Sequence, residues 1–143
     1  GAASFRIHCS RDQARWDGHF IAYSNGTVLD TSTNLMWAAK DNGTGINWAN
    51  AKAYCENYRG GGYSDWRMPT QDERANLYDK NKKNRHGYHV TDLIEITMCC
   101  PWASETRSSG GAAVFGFGRG GSRDWTPKSW DSGTRALPVR SGK

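Results

Sequence analysis

The chain has 143 residues, a length that fits one folded domain and is too short for two ordinary ones. Charged residues make up 23% of the sequence and apolar ones 36%, so the composition excludes a disordered chain. Its apolar stretches are too short for a membrane helix, and we therefore expect no membrane insertion. We predict a single domain over residues 1–143, with a processed or expression-derived segment at residues 1–4.

The net charge of +5 is distributed unevenly along the chain. Residues 1–106 hold 12 basic and 12 acidic residues, whereas residues 107–143 hold seven basic and two acidic ones. A one-sided excess of positive charge favours a polyanionic partner, because it raises the local concentration of negative ligands. A basic surface that serves only solubility is the alternative.

Four cysteines, Cys9, Cys55, Cys99 and Cys100, indicate an oxidising compartment. A disulfide between Cys99 and Cys100 would be strained, because adjacent residues rarely reach disulfide geometry. We therefore predict two long-range disulfides that join Cys9 and Cys55 to the adjacent pair. The sequence leaves their order open.

The first predicted elements are β-strands. Residues 19–23 and 27–30 flank Asn25 and Gly26, a strong signal for a hairpin turn. A polar turn follows, and the apolar segment 35–39 is predicted to be a buried strand.

Two helices are predicted next. Asn47 is expected to cap a helix over residues 48–59. Thr70 and Glu73 have the spacing of a capping box, which predicts a second helix over residues 71–79.

Signals for regular structure are weaker in the last part of the chain. Residues 80–86 are predicted to form a basic loop. The Gly- and Ser-rich stretch 107–135 indicates long loops laid over a core, and a final short strand is predicted at 136–140. The order of strands, helices, loops and strand predicts a single α+β domain.

Several motifs, taken together and in order, resemble those of one family. WANAKAYC at 48–55 is similar to its W-x-x-A-x-x-Y-C helix, and GGYSDWRMPT at 61–70 is similar to its GG-x-x-DWR-L-PT core. Further similarities lie at 28–37, 101–106 and 137–140. The chain thus resembles the C-terminal domain family of the Legionella collagen-like adhesin.

The resemblance implies a C-type-lectin-like fold, with a small mixed or antiparallel sheet, two helices and a long-loop region. It also implies a secreted or surface-displayed domain. For the collagen-like adhesin it further implies a homotrimer that presents basic surface to sulfated glycosaminoglycans. The closing strand here lacks the cysteine that many members pair with the helix cysteine, so Cys55 is expected to find another partner.

The residues assigned to polyanion binding lie in the basic loop and in the last quarter of the chain. Sulfate and carboxylate groups favour spaced Lys and Arg, and Arg adds a planar fork for bidentate contacts. The predicted set is Lys80, Lys82, Lys83, Arg85, Arg119, Arg123, Lys128, Arg140 and Lys143. Trp125 and Trp130 are candidates for stacking on sugar rings, with anchoring of a loop as the alternative.

Other chemistries lack the residue patterns that they need. Asp124 and Asp131 could ligate calcium, but the triplets typical of sugar-binding C-type lectins are missing from the sequence. His86 and His89 lie in a basic loop that would repel zinc. We expect no cofactor, no metal and no nucleic-acid partner, since no nucleic-acid motif is visible.

The sequence therefore predicts a non-catalytic adhesin domain that binds sulfated polysaccharides by electrostatic capture. Formylglycine-generating enzymes share the implied fold, but their cysteine pair is spaced by a few residues and this one is adjacent. Such an enzyme and an adhesin module that binds a protein receptor are the two alternatives.

Overall fold

The computed structural model describes residues 14–118 and 120–142. Two sheets and two α-helices pack together in these ranges, which confirms the predicted α+β class. Cys9, Arg119 and Lys143 lie outside the described residues, and the binding roles predicted for Arg119 and Lys143 stay predictions.

The first sheet has five antiparallel strands in the order β1-β2-β3-β4-β9. The hairpin predicted around Asn25 and Gly26 is confirmed, with Phe20 opposite Asp30 in its register. The last strand pairs with β4 and so completes the sheet that the first strands begin. The strands are β1 Arg15–Asp17, β2 Phe20–Ala22, β3 Thr27–Asp30, β4 Leu35–Ala38 and β9 Val139–Ser141.

The two helices, α1 Trp48–Asn57 and α2 Gln71–Leu77, begin at the predicted residues and end two residues early. The side chain of Asn47 caps α1 by accepting a hydrogen bond from a first-turn N–H. At α2 the Thr70 hydroxyl accepts from the Glu73 N–H, and the Glu73 carboxylate accepts from the Thr70 N–H. The capping box is thus confirmed.

The second sheet has the strand order β7-β6-β5-β8, in which only the β5–β8 pair is parallel. The prediction of long loops over 107–135 is therefore wrong. β6 has weak strand propensity, but it is paired on both sides and buried along most of its length, so its tertiary partners determine its structure. The strands are β5 Cys100–Thr106, β6 Gly111–Gly116, β7 Ser122–Pro127 and β8 Thr134–Arg135.

The core consists of two apolar clusters that meet at β6. Phe115 belongs to the larger cluster, which also holds Trp37 from the first sheet. Val114 belongs to the smaller cluster, together with Cys55 on α1 and Trp102 on β5. Adjacent residues of a strand face opposite sides, so β6 contributes to both clusters.

The cysteine pairing differs from the prediction. Cys99 and Cys100 form a disulfide with each other, and Cys55 is a buried free thiol. Both cysteines of the pair are used in this disulfide, so the predicted bridges from Cys9 and from Cys55 to the pair are wrong. Cys55 packs as an apolar side chain beside Ala51 and Trp102, and burial raises the pKa of its thiol to about 12. A thiol that stays protonated needs no disulfide partner in such a site.

Candidate functional site

The basic loop between α2 and β5 is partly neutralised by acidic neighbours. Lys82 donates a hydrogen bond to Asp17 on β1, and this bond lowers the pKa of the Asp17 carboxyl. Arg85 lies 3.6 Å from Asp92 and 3.9 Å from Glu95. These pairings reduce the positive field that the loop offers to a ligand.

Two lysines of this loop remain available to a ligand. Lys80 and Lys83 are exposed, and neither forms an ion pair with another residue in the described ranges. The predicted loop site therefore keeps two free cations of the four assigned to it.

Arg140 is part of the fold, which removes it from the predicted binding set. Its guanidinium donates to both oxygens of Asp65, at 2.6 and 3.2 Å, and lies 3.7 Å from the ring centroid of Tyr63. Only 5% of Arg140 is exposed. The side chain thus holds β9 against the segment that precedes α2, out of reach of an external polymer.

The exposed edge strand β7 carries the clearest cluster of candidate ligand contacts. Arg123 and Trp125 lie two residues apart and so point to the same face of β7. In the register with β6 they stand opposite Phe115 and Ala113. Both side chains are exposed, Trp125 to 37%.

Arg107, in the turn between β5 and β6, reaches the same face. Its N–H donates to the carbonyl of Gly111 at 2.8 Å and closes the turn. Its Cδ lies 3.9 Å from the position that a Cβ on Gly111 would occupy. The side chain of Arg107 therefore passes Gly111 at an ordinary van der Waals distance. The guanidinium then lies 4.0 Å from the ring centroid of Trp125, within cation–π range.

These three residues, Arg107, Trp125 and Arg123, form what we term the basic–aromatic row. Arg123 pairs with Asp72 on α2, but both side chains are more than half exposed. Exposed pairs of this kind contribute little and exchange readily with solvent or ligand. In the described ranges, the side chain of Arg107 donates no hydrogen bond to the protein.

Lys128 follows the row along the chain but has other neighbours. Its Nζ lies 5.3 Å from the ring centroid of Trp48 at the start of α1. Its N–H donates to the carbonyl of Gly110. Lys128 thus links the turn of Arg107 to α1, and the half-buried side chain can add to the positive field near the row.

The predicted set omitted Arg107, and a local signal could have identified it. Ser108, Ser109, Gly110 and Gly111 form a turn sequence that lies between two apolar segments. Recognising a hairpin there would have placed Arg107 at its tip and β7 beside it. The structure places Arg107 against Trp125, which lies two residues from Arg123 on β7. Among the described residues, no hydrogen bond or ion pair joins these arginines to Lys80 or Lys83.

The two candidate stacking residues differ in their surroundings. Trp125 lies beneath Arg107 and borders both a recess of about 210 Å³ and the larger cleft that Trp130 borders. Trp130, which is 53% exposed, borders this larger cleft of about 420 Å³ next to the Cys99–Cys100 disulfide. The indole N–H of Trp130 donates to the carbonyl of Ser132 at 2.6 Å.

The described residues contain neither a cluster of metal ligands nor a membrane-spanning helix. No group of three or more His, Cys, Asp or Glu side chains is arranged there to hold a metal ion. In the same part of the chain, no helix is both long and apolar enough to cross a membrane.

Comparison with known proteins identifies one family. The family model described as the Lcl C-terminal domain matches residues 26–140, which include both helices and the strands from β3 to β8. No curated protein matches the chain.

Proposed function

The chain belongs to the family of Lcl C-terminal domains, and from this membership we propose that it is an adhesin domain, secreted or displayed at the cell surface, that binds sulfated polysaccharides. The observation that carries the ligand class is the basic–aromatic row, in which Arg107 and Arg123 accompany Trp125 on one face of an edge strand. The proposed mechanism is capture without bond cleavage.

The row offers the chemistry that a sulfated sugar requires. A guanidinium stacked on an indole keeps its N–H groups at its rim, where the oxygens of a sulfate can accept them. Within the described ranges, the Arg107 side chain donates no hydrogen bond to the protein, so its N–H groups are available to a ligand. Arg123 would exchange its exposed Asp72 partner for a sulfate.

The spacing of the row suits an extended polymer. Side chains two residues apart on a strand are separated by roughly 7 Å, so Arg123 and Trp125 can contact successive parts of one chain. Lys80, Lys83 and Lys128 would add long-range attraction that falls with ionic strength. We therefore place short-range recognition at the row and general attraction at these lysines.

Heparin-affinity chromatography with a NaCl gradient tests this proposal. We expect the double substitution Arg107→Ala and Arg123→Ala to lower the eluting NaCl concentration and to weaken heparin binding about tenfold, since charge-assisted contacts are lost. The matched control is the double substitution Lys52→Ala and Arg59→Ala, which removes the same charge from exposed positions at α1. Equal shifts in the two variants would refute recognition by the row.

The lysine loop provides a separate comparison. Replacing Lys80 and Lys83 with Ala should shift elution less than replacing the two arginines, because the lysines lack the aromatic platform. A larger shift for the lysine variant would move the site to the loop. Elution that does not respond to NaCl would count against polyanion capture altogether.

We also propose that the domain assembles as a homotrimer, as its resemblance to the collagen-like adhesin implies. Three copies of a weak site would act together by raising the effective concentration of the ligand's repeats. Sedimentation equilibrium at high protein concentration tests this. A mass near that of one 15.9 kDa chain would contradict it.

A further inference from the structure

We propose that the cleft between Trp130 and the Cys99–Cys100 disulfide binds an uncharged sugar ring. This is a second ligand site that differs from the basic–aromatic row in its chemistry, although Trp125 borders it as well. Its volume of about 420 Å³ falls in the range of small-molecule sites.

The two faces of β7 differ in charge, although Trp125 and Thr126 border both the cleft and the recess beside Arg107. Asp124 and Thr126 alternate with Trp125, so their side chains point to the opposite face of the strand from the row. Both residues border the cleft. The Asp124 carboxylate would repel a sulfate there. One of its oxygens accepts a hydrogen bond from the Ser122 hydroxyl, and the other can accept one from a sugar hydroxyl.

Trp130 presents a preformed stacking surface to this cleft. Its indole N–H is satisfied by the Ser132 carbonyl, and its main-chain N–H donates to the carbonyl of Pro127. The ring is therefore oriented without a ligand, yet it is 53% exposed. Because the ring is already fixed and exposed, little conformational entropy is lost when the apolar face of a sugar stacks on it.

The disulfide forms another wall of the cleft. Cys99 Sγ lies 3.8 Å from the carbonyl oxygen of Gly133, in the loop that also carries Trp130. The disulfide sulfurs are polarisable and offer no strong donor, so they suit the C–H face of a sugar. The bond between neighbouring cysteines makes this wall compact.

Hydroxyl groups at the rim complete the match to a sugar. Within the described ranges, the hydroxyls of Thr126 and Ser132 form no hydrogen bond to the protein. Each can both donate and accept, which is what sugar hydroxyls need. A quaternary ammonium ion forms no hydrogen bond with such groups. Arg107 also covers one face of the neighbouring Trp125 ring. These features favour an uncharged sugar over an organic cation.

Saturation-transfer NMR on the full chain tests the site. The probes are the methyl glycosides of glucose, galactose, mannose and N-acetylglucosamine, with tetramethylammonium as the competing cation. We expect at least one glycoside to receive saturation on the protons of one ring face. The substitution Trp130→Ala should weaken its binding about tenfold, whereas Trp130→Phe should retain part of it.

Trp16→Ala is the matched control, because Trp16 is an exposed indole on the first sheet. It should leave the glycoside signal unchanged. Opening the disulfide with excess phosphine, which converts the disulfide to two thiols and the phosphine to its oxide with oxygen from water, should weaken binding. The absence of any glycoside signal would overturn the proposal. So would a signal that survives Trp130→Ala, or binding of tetramethylammonium alone.

The experiment distinguishes this site from the proposed polyanion site. Trp130→Ala should not change the NaCl concentration at which the protein leaves a heparin column. The Arg107→Ala and Arg123→Ala variant should not change the glycoside signal. Loss of both activities in either variant would contradict the separation of the two sites.

Discussion

The carbonyl oxygen of Asp131 lies where a side chain on Gly45 would begin. A Cβ at Gly45 would be only 2.0 Å from that oxygen, well inside van der Waals contact. The loop after β7 therefore packs against the segment before α1 through a position that only glycine can fill. Trp130, which borders the cleft, precedes Asp131 in this loop.

The first prediction concerns this packing. Gly45→Ala should lower the free energy of unfolding by about 1–3 kcal/mol, because main-chain atoms must move to relieve the clash. It should also shift the fluorescence of Trp130. Urea denaturation measures the stability change. Gly118→Ala is the control, since a Cβ there would meet nothing within 4 Å. Equal stability of the two variants would be incompatible with the contact.

The second prediction concerns the cap of α2. Thr70→Ala should reduce the free energy of unfolding by about 1 kcal/mol, because it leaves the Glu73 N–H without its hydroxyl partner. Thr44→Ala serves as the control, because Thr44 lies in an exposed loop. Thermal or urea unfolding gives the comparison, and a loss no larger than that of the control would argue against the cap.

The third prediction is a loss of stability in acid. The hydrogen bond from Lys82 lowers the pKa of Asp17, and that from Arg67 lowers the pKa of Glu73. A carboxyl with a lowered pKa stabilises the fold at pH values above its unfolded pKa, near 4 for these groups. This contribution is lost as the pH falls through the folded pKa values. Stability should therefore stay level above about pH 5 and fall below about pH 4.

Lys82→Met isolates one part of this pH dependence. It removes the principal cause of the lowered pKa of Asp17, so stability should fall less steeply between pH 5 and pH 3 than in the unmodified protein. Urea midpoints across this range provide the measurement. A slope unchanged by the substitution would show that the ion pair does not shift the titration of Asp17.

The fourth prediction concerns the cysteines. Without reductant, Cys99 and Cys100 should resist alkylation, and the peptide that contains both should be lighter than its reduced form by the mass of two hydrogens. Cys55 should react with iodoacetamide only after denaturation, because burial raises its pKa to about 12. Peptide mass mapping checks both statements. Rapid alkylation of Cys55 in the native protein would contradict its burial.

The fifth prediction separates the buried Arg140 from the exposed arginines of the basic–aromatic row. Arg140→Lys keeps the charge but loses the bidentate contact with Asp65, so it should lower the melting temperature by about 4 °C. Below that temperature, heparin retention should not change, because Arg140 is only 5% exposed. Weaker retention by the folded variant would return Arg140 to the binding set.

Structural features that depend on residues close together in the sequence were predictable. The hairpin at Asn25 and Gly26 and the cap of α2 depend on residues within a few positions of each other, and the structure confirms both. The strand β6 was missed because its Gly and Ala residues have low strand propensity. Its structure comes from partners on both sides, which local patterns do not report.

The candidate site was predictable only in composition. Basic residues and tryptophans in the last quarter of the chain indicated a polyanion or sugar ligand. Their grouping required the register of three strands. That register puts Arg107 over Trp125 and leaves Asp124 on the other face of β7. The net charge of the sequence is therefore a poor guide to a binding site, because it counts exposed and buried arginines alike.

The sequence by itself determined the α+β class, the family, the hairpin and helix starts, and the excess of positive charge, because each depends on residue type and short spacings. Only the tertiary structure decided which charges are available. Arg140 is buried against Asp65, 75 residues away, while Arg107 and Arg123 stay exposed. It also decided that Cys99 pairs with Cys100 while Cys55 stays in the core. The physical reason is that burial and long-range contacts depend on how distant segments pack.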